Sequence, residues 1–102
     1  MFFSLTGGEN MNIENIDVLA KKIKAIASDK RLSILYQIFD KELSVGDIEK
    51  KVDLSQSALS QHLAVLREED VVKTKRSAQT IYYSLKDEKI RKILELLNEL
   101  YL

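Results

Sequence analysis

Residues 55–62 crowd neutral hydrogen-bonding groups into one short stretch. Six of these eight positions carry a hydroxyl, an amide or the chain's single imidazole, at Ser55, Gln56, Ser57, Ser60, Gln61 and His62. Leucines run through and beyond the stretch at the i, i+4, i+7 spacing of a helix, at Leu59, Leu63 and Leu66. Helix exteriors are usually covered by Lys and Glu, so this polar face is unusual. Short donors and acceptors of this kind can contact the edges of DNA bases.

An ordinary surface would also explain these residues, because Ser and Gln are common on exposed faces and Ser55 is a good helix N-cap. On this helix alone the two interpretations are equally supported. The residues before this helix favour the DNA-binding interpretation. Ser44 and Asp47 resemble a capping box that opens a short helix, which breaks at Val52-Asp53-Leu54. Asp53 tolerates the left-handed conformation that a tight turn can require. A short helix, a turn and a longer helix form a helix-turn-helix, whose second helix enters the major groove.

A basic segment follows the second of these helices. Residues 71–85 are rich in β-branched and aromatic residues, which predicts a two-stranded hairpin with its reversal at Ser77-Ala78-Gln79. Residues 71–79 contain three cations, Lys73, Lys75 and Arg76, and no anion. A cationic wing in this place would contact DNA phosphates or the minor groove, and it would add affinity more than sequence readout. The sequence therefore favours DNA binding.

Helices on both sides complete the predicted fold. An amphipathic helix spans about residues 13–27, and Ser28 can cap a second helix whose first turn would expose Lys30 and Arg31. Asp87 can cap a last helix with a wide apolar stripe. The predicted fold class is mainly α with a small β-hairpin: a dimeric winged helix-turn-helix with the order ααααββα. We expect one DNA-binding domain over residues 13–102, with dimerisation helices at both ends, and a flexible leader over residues 1–12.

Composition limits the other classes of function. The 102 residues are 45% hydrophobic and 31% charged with a formal net charge of zero, which is typical of one small globular domain and gives no overall field for nucleic acid. The chain has no cysteine, so disulfides, thiolate metal ligands and thiol catalysis are excluded. The first residues lack the basic flank of a signal peptide, and no apolar run reaches transmembrane length. We expect a soluble cytoplasmic protein without membrane contact.

No group of residues predicts an enzyme or a cofactor site. The sequence has no recognisable Ser/His/Asp arrangement, no glycine-rich phosphate loop and no metal cluster. A lone His62 can supply one ligand but not a site, so we predict no metal. Tyr36 and Tyr101 are expected to pack at a dimer interface. The main alternative to a DNA reader is a winged-helix module that binds another protein, and a gel-shift experiment would decide between them.

Two segments carry a resemblance to a known family. The runs LSQSALSQHLAVLR and AQTIYYSL look like the ArsR/SmtB family of bacterial winged-helix regulators, and they are most similar to its HlyU/BigR-like subgroup. The resemblance extends over about residues 14–101. It implies a homodimer on an operator with dyad symmetry. By position, it implies a recognition helix carrying Gln56, Ser57, Ser60, Gln61 and His62, and a wing carrying Lys75, Arg76 and Gln79.

The first and last helices are the expected dimer interface. They present more apolar surface than a monomer of this size can readily cover, at Ile16, Leu19, Ile23, Ile93, Leu97 and Leu100. The family resemblance implies the same two helices.

The chain departs from the family at its known sensor positions. Where metal sensors carry cysteines it has Leu43-Ser44-Val45-Gly46, and the start of the last helix reads Asp87-Glu88-Lys89 with no histidine after it. Tyr36 and Tyr101 align with the two sensor cysteines of the HlyU/BigR-like subgroup. We therefore expect either constitutive DNA binding or a response to an unidentified effector. A repressor, an activator and an anti-silencer that displaces another protein all fit these features.

Overall fold

The computed structural model describes residues 12–102; residues 1–11, which hold nearly all of the predicted leader, lie outside the described residues. The elements follow in the order α1 Ile16–Ile26, α2 Asp29–Gln37, β1 Leu43–Ser44, α3 Val45–Lys51, α4 Gln56–Glu68, β2 Val72–Ser77, β3 Thr80–Leu85 and α5 Glu88–Tyr101. This confirms the predicted winged helix-turn-helix, with α3 and α4 as its two helices and β2–β3 as its wing. In the described part of the chain, no helix is long and apolar enough to cross a bilayer.

Side-chain caps begin four of the five helices in the described part of the chain. Each capping oxygen accepts backbone N–H bonds from the first turn: Ser28 from Arg31, Ser44 from Asp47, Ser55 from Ala58, and Asp87 from both Lys89 and Ile90. A cap of this kind stabilises a helix by about 1 kcal/mol, because it satisfies N–H groups that have no partner within the helix. All four caps are at the residues that the sequence predicts. By contrast, α1 begins after Asn15 without a side-chain cap and is shorter than predicted.

The core lies between the helices and the sheet, and within it α2 packs against α3 and α4. Its fully buried side chains come mainly from α2 to α5, and they include Ile34 and Leu35 of α2, Ile38 just after it, Ile48 of α3, Leu59 and Leu66 of α4, and Leu94 of α5. Every buried side chain in the described residues is a hydrophobic one. Burial of such a residue contributes about 1.5–3 kcal/mol, so this shared core fixes the orientation of α4 and the wing.

The sheet has a third strand that the sequence pattern did not predict. Residues Leu43–Ser44 form β1 and pair antiparallel with β3, with Leu43 opposite Tyr83 and Ser44 opposite Tyr82. A strand of two residues is too short for an alternating pattern, and its pairing is a tertiary contact. The sheet order is β1-β3-β2, so β3 is the central strand. The wing is therefore attached to the residues that open α3.

Among residues 12–102, two adopt left-handed backbone conformations, and neither is Asp53. Asp70 has φ 55° just after α4, where the Val71 N–H donates to the Leu66 carbonyl and closes the helix. Ala78 has φ 57° at the tip of the wing, between the paired residues Ser77 and Thr80. The turn between α3 and α4 does not need the left-handed conformation that Asp53 tolerates, because Val52 is extended, with φ −119° and ψ 144°, and the chain turns without a positive φ.

Lys22 ties α1 to the rest of the domain. Its ammonium lies 3.3 Å from the carboxylate of Asp87, and it also donates to the backbone carbonyl of Glu69. Burial raises the pKa of Asp87, but the backbone N–H groups of Ile90 and Lys89 and the Lys22 ammonium outweigh burial and hold the pKa below its ordinary value. One side chain thus joins α1, the end of α4 and the start of α5.

Candidate nucleic-acid interface

The outer face of α4 is set by its leucines and by the turn before it. Leu59, Leu63 and Leu66 are buried against the core, which points the opposite face of the helix away from the protein. The extended Val52 and the cap at Ser55 let α4 begin after a connection of only four residues. This is the arrangement in which the second helix of the motif can enter a DNA groove with its N-terminal residues leading.

Four of the predicted readout residues lie together on that outer face. Gln56, Ser57, Ser60 and Gln61 are all exposed. Within residues 12–102, none of their side chains makes a hydrogen bond to another group of the protein. Their donors and acceptors are therefore available to base edges, which present both kinds of group in the major groove.

His62, the fifth predicted residue, is placed differently. It is half-buried on the flank of α4, and its Nδ1 lies 3.0 Å from Nη1 of Arg31 on α2. The Nδ1 side of the imidazole therefore contacts another side chain of the protein. The other four readout residues form the open part of the face.

The wing exposes Lys75, Arg76 and Gln79. The strand register places Lys75 opposite Tyr82 and Arg76 opposite Ile81. Because neighbouring residues of a strand point to opposite faces, the two cations lie on different faces of the wing. Lys75 also has a partner, since its ammonium lies 3.6 Å from the carboxylate of Glu42.

Two cations at the start of α2 approach the helix-turn-helix. The Lys30 ammonium lies 3.4 Å from the backbone carbonyl of Asp53 in the turn, and Arg31 reaches His62 on α4. Both side chains are half-buried, so the prediction that they would be exposed is wrong. The contact between Arg31 and His62 was missed because it joins residues 31 positions apart, and no local pattern in the sequence marks it.

The predicted dimer residues lie on an apolar face of α1 and α5. Ile16 is 59% exposed, Leu19 50%, Ile23 47%, Ile93 37% and Leu100 64%, and Leu96 of α5 is also exposed. Leu97 is half-buried instead. It lines an apolar cavity of about 250 Å³ between α2 and α5, together with Leu32, Tyr36, Tyr101 and Leu102.

The two tyrosines at the aligned sensor positions differ in burial. The Tyr36 hydroxyl donates to the Leu94 carbonyl at 2.8 Å, which joins α2 to α5, and Tyr101 is 77% exposed. The chain has no thiol, and the described residues hold no group of three or more His, Asp and Glu side chains that could bind a metal ion. The region around Tyr36 and Tyr101 therefore contributes packing contacts and a hydroxyl group, but it contains no thiol that could react.

Comparison with known proteins identifies the family. Residues 28–74 match the family model described as bacterial regulatory protein, arsR family. The chain is also 43% identical over 98 residues to the transcriptional activator HlyU of Vibrio cholerae, and the match covers 92% of this chain and 91% of HlyU. The chain belongs to the arsR family. It is thus a DNA-binding transcriptional regulator of the ArsR class, and not an enzyme.

Solved structures of arsR-family members share the fold. The structure of HlyU from Vibrio cholerae has a TM-score of 0.81 at 44% identity, covering 86% of this chain and 96% of HlyU. NolR from Sinorhizobium fredii also has a TM-score of 0.81, at 43% identity, covering 98% of this chain and 97% of NolR. The transcriptional repressor BigR from Xylella fastidiosa has a TM-score of 0.80 at 29% identity, covering 90% of this chain and 98% of BigR. The resemblance to the HlyU/BigR-like subgroup is confirmed.

Proposed function

We propose that this ArsR-family regulator binds DNA sequence-specifically as a homodimer, on an operator with dyad symmetry, and that it lacks the thiol and metal sensor sites of its relatives. The observation that carries the proposal is the outer face of α4. Four neutral polar side chains lie there, exposed and without partners among the described residues, at Gln56, Ser57, Ser60 and Gln61. Bringing this face against base edges has a low free-energy cost, because none of these side chains has to break a hydrogen bond within the described residues.

The charge distribution along α4 supports an N-terminal approach to DNA. The exposed face of its first two turns is neutral, whereas Glu68, Glu69 and Asp70 follow at the far end. Carboxylates at the leading end would be repelled by phosphates. The wing adds the exposed cations Lys75 and Arg76, which suit phosphate contacts. We therefore assign base readout to α4 and sequence-independent affinity to the wing.

The apolar face of α1 and α5 supports the homodimer. Side chains as large as Ile16, Leu19 and Leu100 are at least half exposed on it. An exposed apolar patch of this kind on a small protein indicates an interface. A twofold dimer would present two α4 helices, and it would read two half-sites about 34 Å apart or a multiple of that distance.

Sequencing of the genomic fragments that bind the purified protein tests the proposal. We expect an enriched sequence with dyad symmetry. In fluorescence anisotropy, Ser57→Ala or Gln61→Ala should weaken binding to it by about 1–3 kcal/mol while sparing random DNA. Thr74→Ala, on the wing but outside the predicted contacts, is the control. Enrichment of no sequence, or equal losses on operator and random DNA, would overturn the proposal of sequence-specific readout.

A further inference from the structure

Arg31, on α2, contacts two other helices at once. Its Nε donates to the Ala25 carbonyl and its Nη2 donates to the Lys24 carbonyl at 3.3 Å, both in the last turn of α1. Its Nη1 lies 3.0 Å from Nδ1 of His62 on α4. The carbonyl end of a helix favours a cation, so α1 holds the guanidinium in place. The group that meets His62 therefore has a fixed position.

This contact decides which ring nitrogen of His62 carries the proton. A guanidinium has donors and no acceptor, so Nδ1 must accept the hydrogen bond from Arg31. The ring is then neutral, with its one proton on Nε2. The other tautomer would place two N–H groups against each other at 3.0 Å. Arg31 thus determines both the orientation of the ring and its tautomer.

The Nε2–H of His62 remains available. Within residues 12–102, the contact with Arg31 is the one hydrogen bond of this side chain, and no buried side-chain nitrogen or oxygen lacks a partner. Since Nε2 has no such partner, it reaches solvent. It lies on the flank of α4, beside the face that carries Ser57 and Gln61. At the edge of a groove-bound helix, the nearest DNA groups are backbone phosphates.

We propose that Arg31 is a positioning residue of the DNA-binding surface: it holds His62 so that Nε2–H donates to a phosphate oxygen of bound DNA. The inference rests on the proposed function of α4. Phosphate oxygens are acceptors only, and a ring locked as an outward donor matches them. A neutral donor releases no counterion. This contact therefore adds affinity without adding to the salt dependence of binding, in contrast to a lysine or arginine.

Nitrogen NMR of the imidazole tests the tautomer directly. His62 is the only histidine of the chain, so the labelled protein has one ring to observe. At pH 8 we expect the wild-type ring to show the pure Nε2–H tautomer. Arg31→Met removes the donors while keeping an apolar stem, and it should give an average of both tautomers. A wild-type ring protonated on Nδ1, or averaging between tautomers, would overturn the proposal.

Substitution of His62 separates its two nitrogens. In His62→Asn the amide oxygen can occupy the place of Nδ1 and accept from Arg31, but no donor reaches the place of Nε2. We expect unchanged thermal stability, about tenfold weaker binding to operator and random DNA alike, and an unchanged salt slope. His62→Gln, whose amide nitrogen reaches the place of Nε2 but which leaves no acceptor for Arg31, should restore part of the affinity. His62→Asn that binds as tightly as wild type would contradict the proposal.

A double-mutant cycle shows whether Arg31 acts through His62. Arg31→Met alone should weaken binding by a similar factor, with an unchanged salt slope. Added to His62→Asn it should cause no further loss, because the donor that it positions is already gone. A salt slope lowered by about one would instead show that Arg31 binds a phosphate itself. If wild type binds no DNA, the proposed function fails; if wild type binds and the two losses add, only the role of Arg31 fails.

Discussion

Ser57 and Gln61 differ from Lys75 and Arg76 in what they can contribute to DNA binding. The first two are short neutral groups on a rigid helix, and they can distinguish one base edge from another. The second two are long cations on an exposed hairpin, and their attraction to phosphates is the same for every sequence. His62 combines features of both, because it sits on the recognition helix but is oriented by a cation, at 3.0 Å from Arg31.

The wing cations should control the salt dependence of binding. Lys75→Ala or Arg76→Ala should weaken binding to operator and random DNA about equally and lower the salt slope by roughly one, because each removes one phosphate contact. Anisotropy titrations over a range of salt concentrations measure both quantities. Lys86→Ala is the matched control, since this exposed lysine pairs with Asp70 at the far end of α4, 3.2 Å away. A change in base preference on substituting the wing would contradict this division of roles.

The carboxylate of Glu42 holds Lys75 in the free protein, so it should compete with DNA. The pair lies 3.6 Å apart with both side chains well exposed, and an exposed pair of this kind contributes at most about 1 kcal/mol. Glu42→Gln should therefore tighten binding to operator and random DNA up to a few-fold. The same anisotropy titrations test it. Weaker binding by this variant would show that Glu42 positions Lys75 for DNA instead of withholding it.

At the scale of elements, the caps and the interhelical contacts hold the DNA-binding surface in place. Each of α2, α3, α4 and α5 begins at a side-chain cap. The end of α4 is joined to the wing by Arg67, which donates to the Tyr83 hydroxyl, and to α1 by Lys22. These contacts connect the recognition helix to elements on both sides.

Asp87 should make the stability of the fold sensitive to acid. Its pKa is lowered in the folded protein, so its charge stabilises the fold above the unfolded value of about 3.9, and this contribution is lost as pH falls through the folded value. Asp87→Asn keeps a capping oxygen but loses the attraction to Lys22. Urea unfolding should find this variant less stable than wild type at pH 7, with the difference closing below about pH 4.

Asp40→Asn is the control for that experiment, because Asp40 is exposed and forms no ion pair in the described structure. It should match wild type across the same range. A difference between Asp87→Asn and wild type that stays constant down to pH 3 would show that the carboxylate charge is not the cause.

At the scale of the whole molecule, the described chain is more extended than a single compact domain. Its radius of gyration is 15.6 Å, compared with about 13 Å for a compact domain of this length. The helices at the two ends, α1 and α5, carry the large exposed apolar side chains. Both observations agree with the proposed homodimer, in which a second copy would cover this face.

Leu100→Glu should convert the dimer to a monomer. Leu100 is 64% exposed in the single chain, so a glutamate there is harmless to the monomer, but burial of its unpaired charge in a dimer would cost about 3–5 kcal/mol. Leu97 is a poorer choice because it packs within the chain. Sedimentation at micromolar concentration should find a wild-type dimer and a variant monomer. Thr74→Glu, which adds the same charge on the exposed wing, should remain a dimer; a monomeric wild type would contradict the proposal.

Zinc, cadmium, arsenite, peroxide and persulfide should leave operator binding unchanged. Soft metals and arsenite bind thiolates or clustered imidazoles, and each chain has no cysteine and one histidine. Peroxide and persulfide react with thiolates. Anisotropy of the protein–operator complex, titrated with each agent at micromolar concentration, measures the effect. Stoichiometric release by any of them would reveal a further site, to be sought first around Tyr36 and Tyr101.

The sequence by itself determined the elements whose signals are local. The capping residues Ser28, Ser44, Ser55 and Asp87 and the leucine stripe of α4 act within one or two turns of helix, so they could be identified from spacing alone. The change to β-branched and aromatic residues located the wing in the same way. The polar face of α4 could be proposed for the same reason, because the helical period alone separates it from the buried leucines.

Only the tertiary structure decided the contacts between distant residues. The pairing of β1 with β3, the contact of Arg31 with His62 and the pairing of Lys75 with Glu42 each join positions more than 30 apart in the chain. The left-handed conformation of Asp70 was also decided only by the tertiary structure, since it lets the chain leave α4 and enter the wing. Such contacts depend on how the common core orients each element. That orientation is a property of the packed whole, and no single segment of the sequence contains it.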